Sequence, residues 1–248
     1  VIAVTRSAAA TGAARCIVLL GTALLAQEGP AAAHGFAGDR FFPATLLTDD
    51  PFVADELSLP TLTRDPDAAD GSQRTDIGIE LSKRITPDLG ITLSDQWSYL
   101  RPKGFAKATG FSGFSAELDY QLFVNPAHEA IGLVGIAADF AHTGRVQALG
   151  AADFTTLSPL VNLGKGFGDL PDSLDYLRPV AVTSNLSFEF PTKTQSAGSP
   201  NPNAVDYGFA FEYSLEYLEH HVRDVGLGAP FDRMIPLVEV AFSTPVNR

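Results

Sequence analysis

Eight carboxylates stand at alternate positions along extended stretches of this chain: Asp76, Glu80, Glu117, Asp119, Glu189, Glu212, Glu216 and Glu239. Their same-side neighbours are small or polar, as in "TDIGIELSK" (75–83), where Gly78 and Ser82 accompany Asp76 and Glu80. Few lysines or arginines share those positions. An isolated carboxylate cannot be buried dry without a cost that folding cannot offset. These groups therefore face water or hold extra protons. A wet face of this kind draws cations, which is the first chemistry the residues suggest.

Catalysis finds no support. No G-x-S-x-G, no H-E-x-x-H and no cysteine beyond Cys16 occurs, and each of those chemistries needs its nucleophile or ligand set. "GKGFGD" (164–169) lacks the G-x-x-x-x-G-K-[ST] order of a phosphate loop. Asp39, Asp49, Asp50 and Asp55 lack EF-hand spacing. His34 could chelate copper only with a second histidine, and His128, His142, His220 and His221 follow no ligand spacing. No metal and no cofactor is expected. The chain reads as something other than an enzyme.

The carboxylates are carried by period-two segments, which put successive side chains on opposite faces of a sheet. "YGFAFEYSLEYL" (207–218) alternates Tyr207, Phe209, Phe211, Tyr213 and Tyr217 with Gly208, Ala210, Glu212, Ser214 and Glu216. Nine such candidates follow one another: 55–64, 75–84, 89–100, 113–124, 130–142, 154–166, 177–190, 207–219 and 234–244. Pro60 and Pro159 weaken the first and the sixth. No stretch of similar length carries a 3.6-residue apolar stripe, so the fold is expected to be all-β.

Connections between the candidates alternate in length. "ITPDLG" (85–90) and "NPAHE" (125–129) are tight, whereas 101–113, 143–153 and 191–206 are long. Short turns at one end and long loops at the other are the habit of transmembrane barrels. Residues 219–233 break it, being too long for their place.

A soluble sandwich shows the same alternation, so other features must choose. The segments run about 10 to 13 residues, close to what a tilted strand needs to cross a bilayer and longer than a typical sandwich strand. Trp97, Tyr99, Tyr120, Tyr207, Tyr213 and Tyr217 lie on the apolar faces, and such amphipathic rings favour membrane interfaces. Ahead of the strands, Arg6 and Arg15 precede the apolar run "CIVLLGTALLA" (16–26) and the small residues of "PAAA" (30–33). That is the pattern of a cleaved secretory signal peptide, too short to span a membrane as a helix. The net charge of −12 excludes a nucleic-acid partner on electrostatic grounds.

The expected organisation is a signal peptide over 1–33, an irregular segment over 34–54 that is a candidate plug, and a domain over 55–248. That domain is expected to be an antiparallel up-and-down transmembrane β-barrel. Its surroundings would be outer-membrane lipid, and its cargo a small solute. The competing expectation is an exported β-sandwich, soluble or surface-attached, that binds a ligand or partner.

"HGFAGDRFFPATLLTDDPFVADELSLP" (34–60) and "GKGFGDLPDSLDYLRP" (164–179) resemble a group of uncharacterised proteobacterial exported proteins. These are similar to outer-membrane barrels associated with the phenol-degradation meta-pathway. The resemblance covers most of the chain after residue 33 and implies a barrel with a channel or transport role. Its motifs name no chemistry. Two features depart from it: nine strands is an odd number, and "TPVNR" is not a terminal aromatic strand. Both lead us to expect further strands beyond Arg248, with the last visible edge open to pairing with those strands or with a second copy.

Overall fold

The computed structural model describes residues 35–65, 72–104, 106–144, 153–196 and 199–246. The segment read as a signal peptide, and His34, lie outside them. After a small hairpin of β1 (Gly35–Ala37) and β2 (Arg40–Phe42), the chain builds β3 (Glu56–Asp65), β4 (Gln73–Arg84), β5 (Leu89–Arg101) and β6 (Ala108–Asn125). It continues with β7 (Ala130–Asp139), β8 (Thr156–Gly166) and β9 (Val180–Pro191). A second hairpin, β10 (Gln195–Ser196) with β11 (Ser199–Pro200), precedes β12 (Ala204–Tyr213) and β13 (Leu237–Pro245).

Nine of these strands form one sheet in the order β13-β12-β9-β8-β7-β6-β5-β4-β3. Every described pairing is antiparallel, and the sheet curls into an open half-barrel. The all-β expectation holds. The nine strands do not close on themselves, as their odd number led us to expect: among the described residues no ladder joins β3 to β13. Nine antiparallel strands also leave those two edges running in the same direction, so they could not meet as an antiparallel pair.

Each of the nine expected segments corresponds to a sheet strand, but three differ for physical reasons. β6 begins at Ala108 rather than 113 because a bulge opposite Asp95 and Trp97 interrupts the alternation. Upstream of it Phe111 pairs with Trp97, their rings edge-on with centroids 5.0 Å apart. An extra residue shifts the period-two pattern, which hid this part of the strand. β8 keeps Pro159 in its interior, and there the ladder to β9 skips Ser158 and Pro159, as expected where a residue has no N–H to donate.

The third correction concerns 207–219. β12 stops at Tyr213, and Leu215–Tyr217 turns helical with the Ser214 hydroxyl accepting the Tyr217 N–H at 3.0 Å. A side-chain cap of this kind stabilises a helical turn where strand alternation alone would have continued. Glu216 and Tyr217 therefore leave the sheet. Residues 214–236, anomalously long for a turn, are tied back by Tyr213 N and Leu215 N, which donate to the carbonyls of Pro236 and Met234.

The two faces of the sheet differ sharply. Ile136, Leu118, Leu163, Phe209, Phe211, Val238 and Phe242 occupy the convex face and are exposed. Among the described residues no second sheet covers them. The buried apolar cluster lies on the concave side instead: Ala37, Phe42, Phe52 and Ala54 of the N-terminal segment against Ile131 and Ala181 of the sheet.

Candidate functional site

The concave face is a trough, and residues 35–55 run through it. Small inward side chains make the room. Gly164 meets Phe42 and Pro51, Gly90 meets Val53, Gly208 meets Thr48 and Gly166 meets Arg40, each so closely that a Cβ would collide or crowd. The small face read from the sequence is thus the seat of the chain's own N-terminal segment. Near the short turns the trough is packed.

One fastening lies at that packed end. Arg40, 1% exposed, donates from Nε to Glu129 Oε2 at 3.1 Å and from Nη1 to the Pro179 carbonyl at 3.0 Å, and also bonds the Arg178 carbonyl. The Tyr217 ring lies under the guanidinium at 3.9 Å, and its hydroxyl donates to Glu129 Oε1 at 2.6 Å. The Gly168 amide gives Glu129 a further bond at 2.9 Å. Every polar atom of this buried ion pair has partners, which is the condition under which such a pair is tolerated. Burial, and then the hydrogen bond to Glu129, hold the Tyr217 phenol above its ordinary pKa. Tyr217 is a structural anchor here, not the interface aromatic expected from the alternation. Arg40 and Glu129 carried no sequence signal as a pair, being 89 residues apart.

A second fastening lies at Glu239 on the edge strand β13. Its carboxylate accepts the Leu46, Leu47 and Thr48 amides at 3.1, 2.9 and 3.3 Å and approaches the Thr48 hydroxyl at 3.4 Å. Between the two fastenings, Gln121 receives the Val53 amide and donates to the Pro51 carbonyl, and Asn162 donates to the Asp50 carbonyl.

The other expected inward carboxylates divide into separate settings. Asp76 is paired with Arg74 at 2.8 Å and accepts from Ser98 at 2.6 Å. Glu80, Glu117 and Asp119 come together on β4–β6 and, with Asp49, Asp50 and Glu56, line a cleft of about 150 Å³ that has no basic residue in its wall. A wider cleft of about 890 Å³, lined by Arg74, Gln96, Ser115 and Asp139 among others, opens toward the long-loop end. Glu189 stands apart on β9, and Glu212 is buried on β12. Glu216 is exposed on the helical turn and faces no lumen.

Five of the six expected interface rings are on the convex face at its two rims. Trp97, Tyr99 and Tyr207 lie toward the long loops, the last stacked on Phe242 at 5.1 Å. Tyr120, opposite Leu89, and Tyr213 lie toward the short turns. Among the described residues no group of three or more His, Cys, Asp or Glu side chains is arranged to hold a metal ion.

Burial pushes the Asp50 carboxyl up to about 7, against the opposing bonds from the Thr45 amide and hydroxyl. An acid whose pKa is raised on folding holds its proton more tightly in the folded state. Its stabilising contribution is complete below the ordinary value near 4 and declines as pH rises through about 7. The protein is therefore expected to unfold at a lower temperature at pH 8 than at pH 5. In Asp50→Asn that difference should shrink. An unchanged pH dependence in the variant would show that Asp50 does not contribute.

No family model, no curated protein and no solved structure matches this chain.

Proposed function

We propose that this chain forms the wall of an outer-membrane β-barrel that passes small solutes along its concave side. The observation that carries this reading is the convex face, where large aliphatic and aromatic side chains stand exposed on strand after strand, with no second sheet over them among the described residues. Soluble proteins rarely expose contiguous apolar surface on this scale, and lipid chains are its natural solvent. Two further features support the reading: aromatic rings at both rims of the apolar band, and strands of 9 to 18 residues. An antiparallel barrel needs an odd number of further strands between β13 and β3, because those edges run in the same direction. Unpaired edge groups facing hydrocarbon would each cost several kcal/mol, so the edges must be covered in a bilayer.

The solute route runs through the wider cleft toward the carboxylate-lined narrower one, which favours cations over anions. Cell fractionation tests the location. The protein should follow the outer membrane, need detergent for release and run faster on gels before boiling than after. Recovery in the soluble fraction would overturn the membrane reading in favour of an exported β-sandwich. Single-channel recording in a salt gradient tests the route, and a reversal potential showing anion preference would overturn its polarity.

A further inference from the structure

The N-terminal segment is held in two unlike ways. Residues 35–42 are paired as a hairpin, carry the fully buried Ala37 and Phe42, and are fixed by Arg40 through four contacts. Residues 44–50 have no strand partner. Their hold on the sheet side chains is the Glu239 carboxylate, which gathers three successive amides, and the Asn162 amide on the Asp50 carbonyl. This stretch also exposes its largest apolar side chains: Leu46 is 85% and Leu47 63% accessible. The same stretch forms walls of both clefts, through Ala44 and Thr45 in each and through Asp49 and Asp50 in the narrower.

A segment with few buried apolar contacts and exposed backbone opens at low free-energy cost, whereas a packed one opens only with the whole fold. We propose that residues 44–50 are a releasable flap over the solute route, with Glu239 as its catch and residues 35–42 as its fixed hinge end. Release of the catch joins the two clefts to the rest of the trough. The seated flap blocks that passage. This rests on the transport reading above, deepening it from a wall to a gated one.

Two measurements separate the flap from that reading. Amide hydrogen exchange needs no transport. In Glu239→Ala, exchange at Leu46, Leu47 and Thr48 should accelerate by about tenfold or more, the scale on which losing charge-assisted bonds shifts a local opening. The amides of 40–42 should keep their protection. Equal acceleration in both stretches, or none, overturns the division into hinge and flap, whatever the protein transports.

The second measurement is a reversible lock. Thr48 Cγ2 lies 2.7 Å from where a Gly208 Cβ would stand, so cysteines at 48 and 208, in a chain with Cys16→Ser, come within disulfide reach. In planar bilayers the oxidised Thr48→Cys, Gly208→Cys protein should conduct less than its reduced form, and reduction should restore the current. Glu239→Ala should conduct more than the parent chain. Equal currents in the oxidised and reduced forms overturn the gate while leaving the transport reading standing. No current from any form, including a chain lacking residues 44–50, overturns both.

Discussion

Replacing Arg40 with alanine is expected to destabilise the protein by about 3–5 kcal/mol, the cost of leaving one member of a buried ion pair uncompensated. Glu129 sits at 7% side-chain exposure. Without the guanidinium it keeps the Tyr217 hydroxyl and the Gly168 amide, neither of which carries charge. The Arg178 carbonyl loses the guanidinium at the same time, and the Pro179 carbonyl is left with the Ser214 amide. Tyr217 loses the cation that lies on its ring. The damage should concentrate at the short-turn end, where β1, β2 and residues 214–222 converge.

The temperature at which the protein loses its compact gel mobility should fall by many degrees in this variant. Arg40→Ala combined with Glu129→Gln should recover part of the loss, because the stranded charge is then gone. A single variant as stable as the parent would mean that the pair holds nothing in place. A double variant worse than the single would mean that Glu129 acts through some other partner.

An arginine in place of Ile136 has a different consequence in each of the two competing surroundings. Ile136 lies within β7 on the convex face, opposite Leu118 and Pro159 on its neighbours, and is 47% exposed. In water, a charged side chain at such a site changes stability little, within about 0.5 kcal/mol either way. Against hydrocarbon, an arginine on the lipid face of a barrel costs about 2–4 kcal/mol near the bilayer midplane, falling toward zero at the interfaces. Under the membrane reading Ile136→Arg should assemble poorly. Tyr120→Arg, at the short-turn rim, should be tolerated far better. Denaturant titration of the two variants in lipid vesicles gives the comparison. Equal tolerance at both positions would count against hydrocarbon contact on this face.

Much of the sheet was legible in the sequence because strand periodicity is local. Alternation in 75–83, 89–100, 114–124 and 234–244 is enough to assign both the strand and the face each residue occupies. Tight turns at 85–88 and 126–129 follow from prolines, asparagines and aspartates placed where such turns require them. Legibility failed where a local rule was broken by something nonlocal or by an inserted residue. The bulge within β6 shifts the alternation. The Ser214 cap ends β12 although Leu215 and Tyr217 keep the period.

The candidate site was legible only in part. The inward carboxylates Glu80, Glu117, Asp119, Glu212 and Glu239 could be placed on one face, because facing is a period-two property. What each one meets could not be read. Glu239 accepts amides nearly 200 residues away in sequence, and the cleft around Glu117 owes half its wall to residues 44–56. Gly208 could be placed on the small face by alternation, but nothing local showed that it, Gly90, Gly164 and Gly166 form the floor on which the N-terminal segment rests.

The sequence by itself determined an all-β chain with one oily face and one small, acidic face, since both properties repeat every second residue. Only the tertiary structure decided which side is filled, and by what. Curling the sheet brings strands from both edges around a single irregular stretch, and an irregular stretch has no period from which its partners could be foretold.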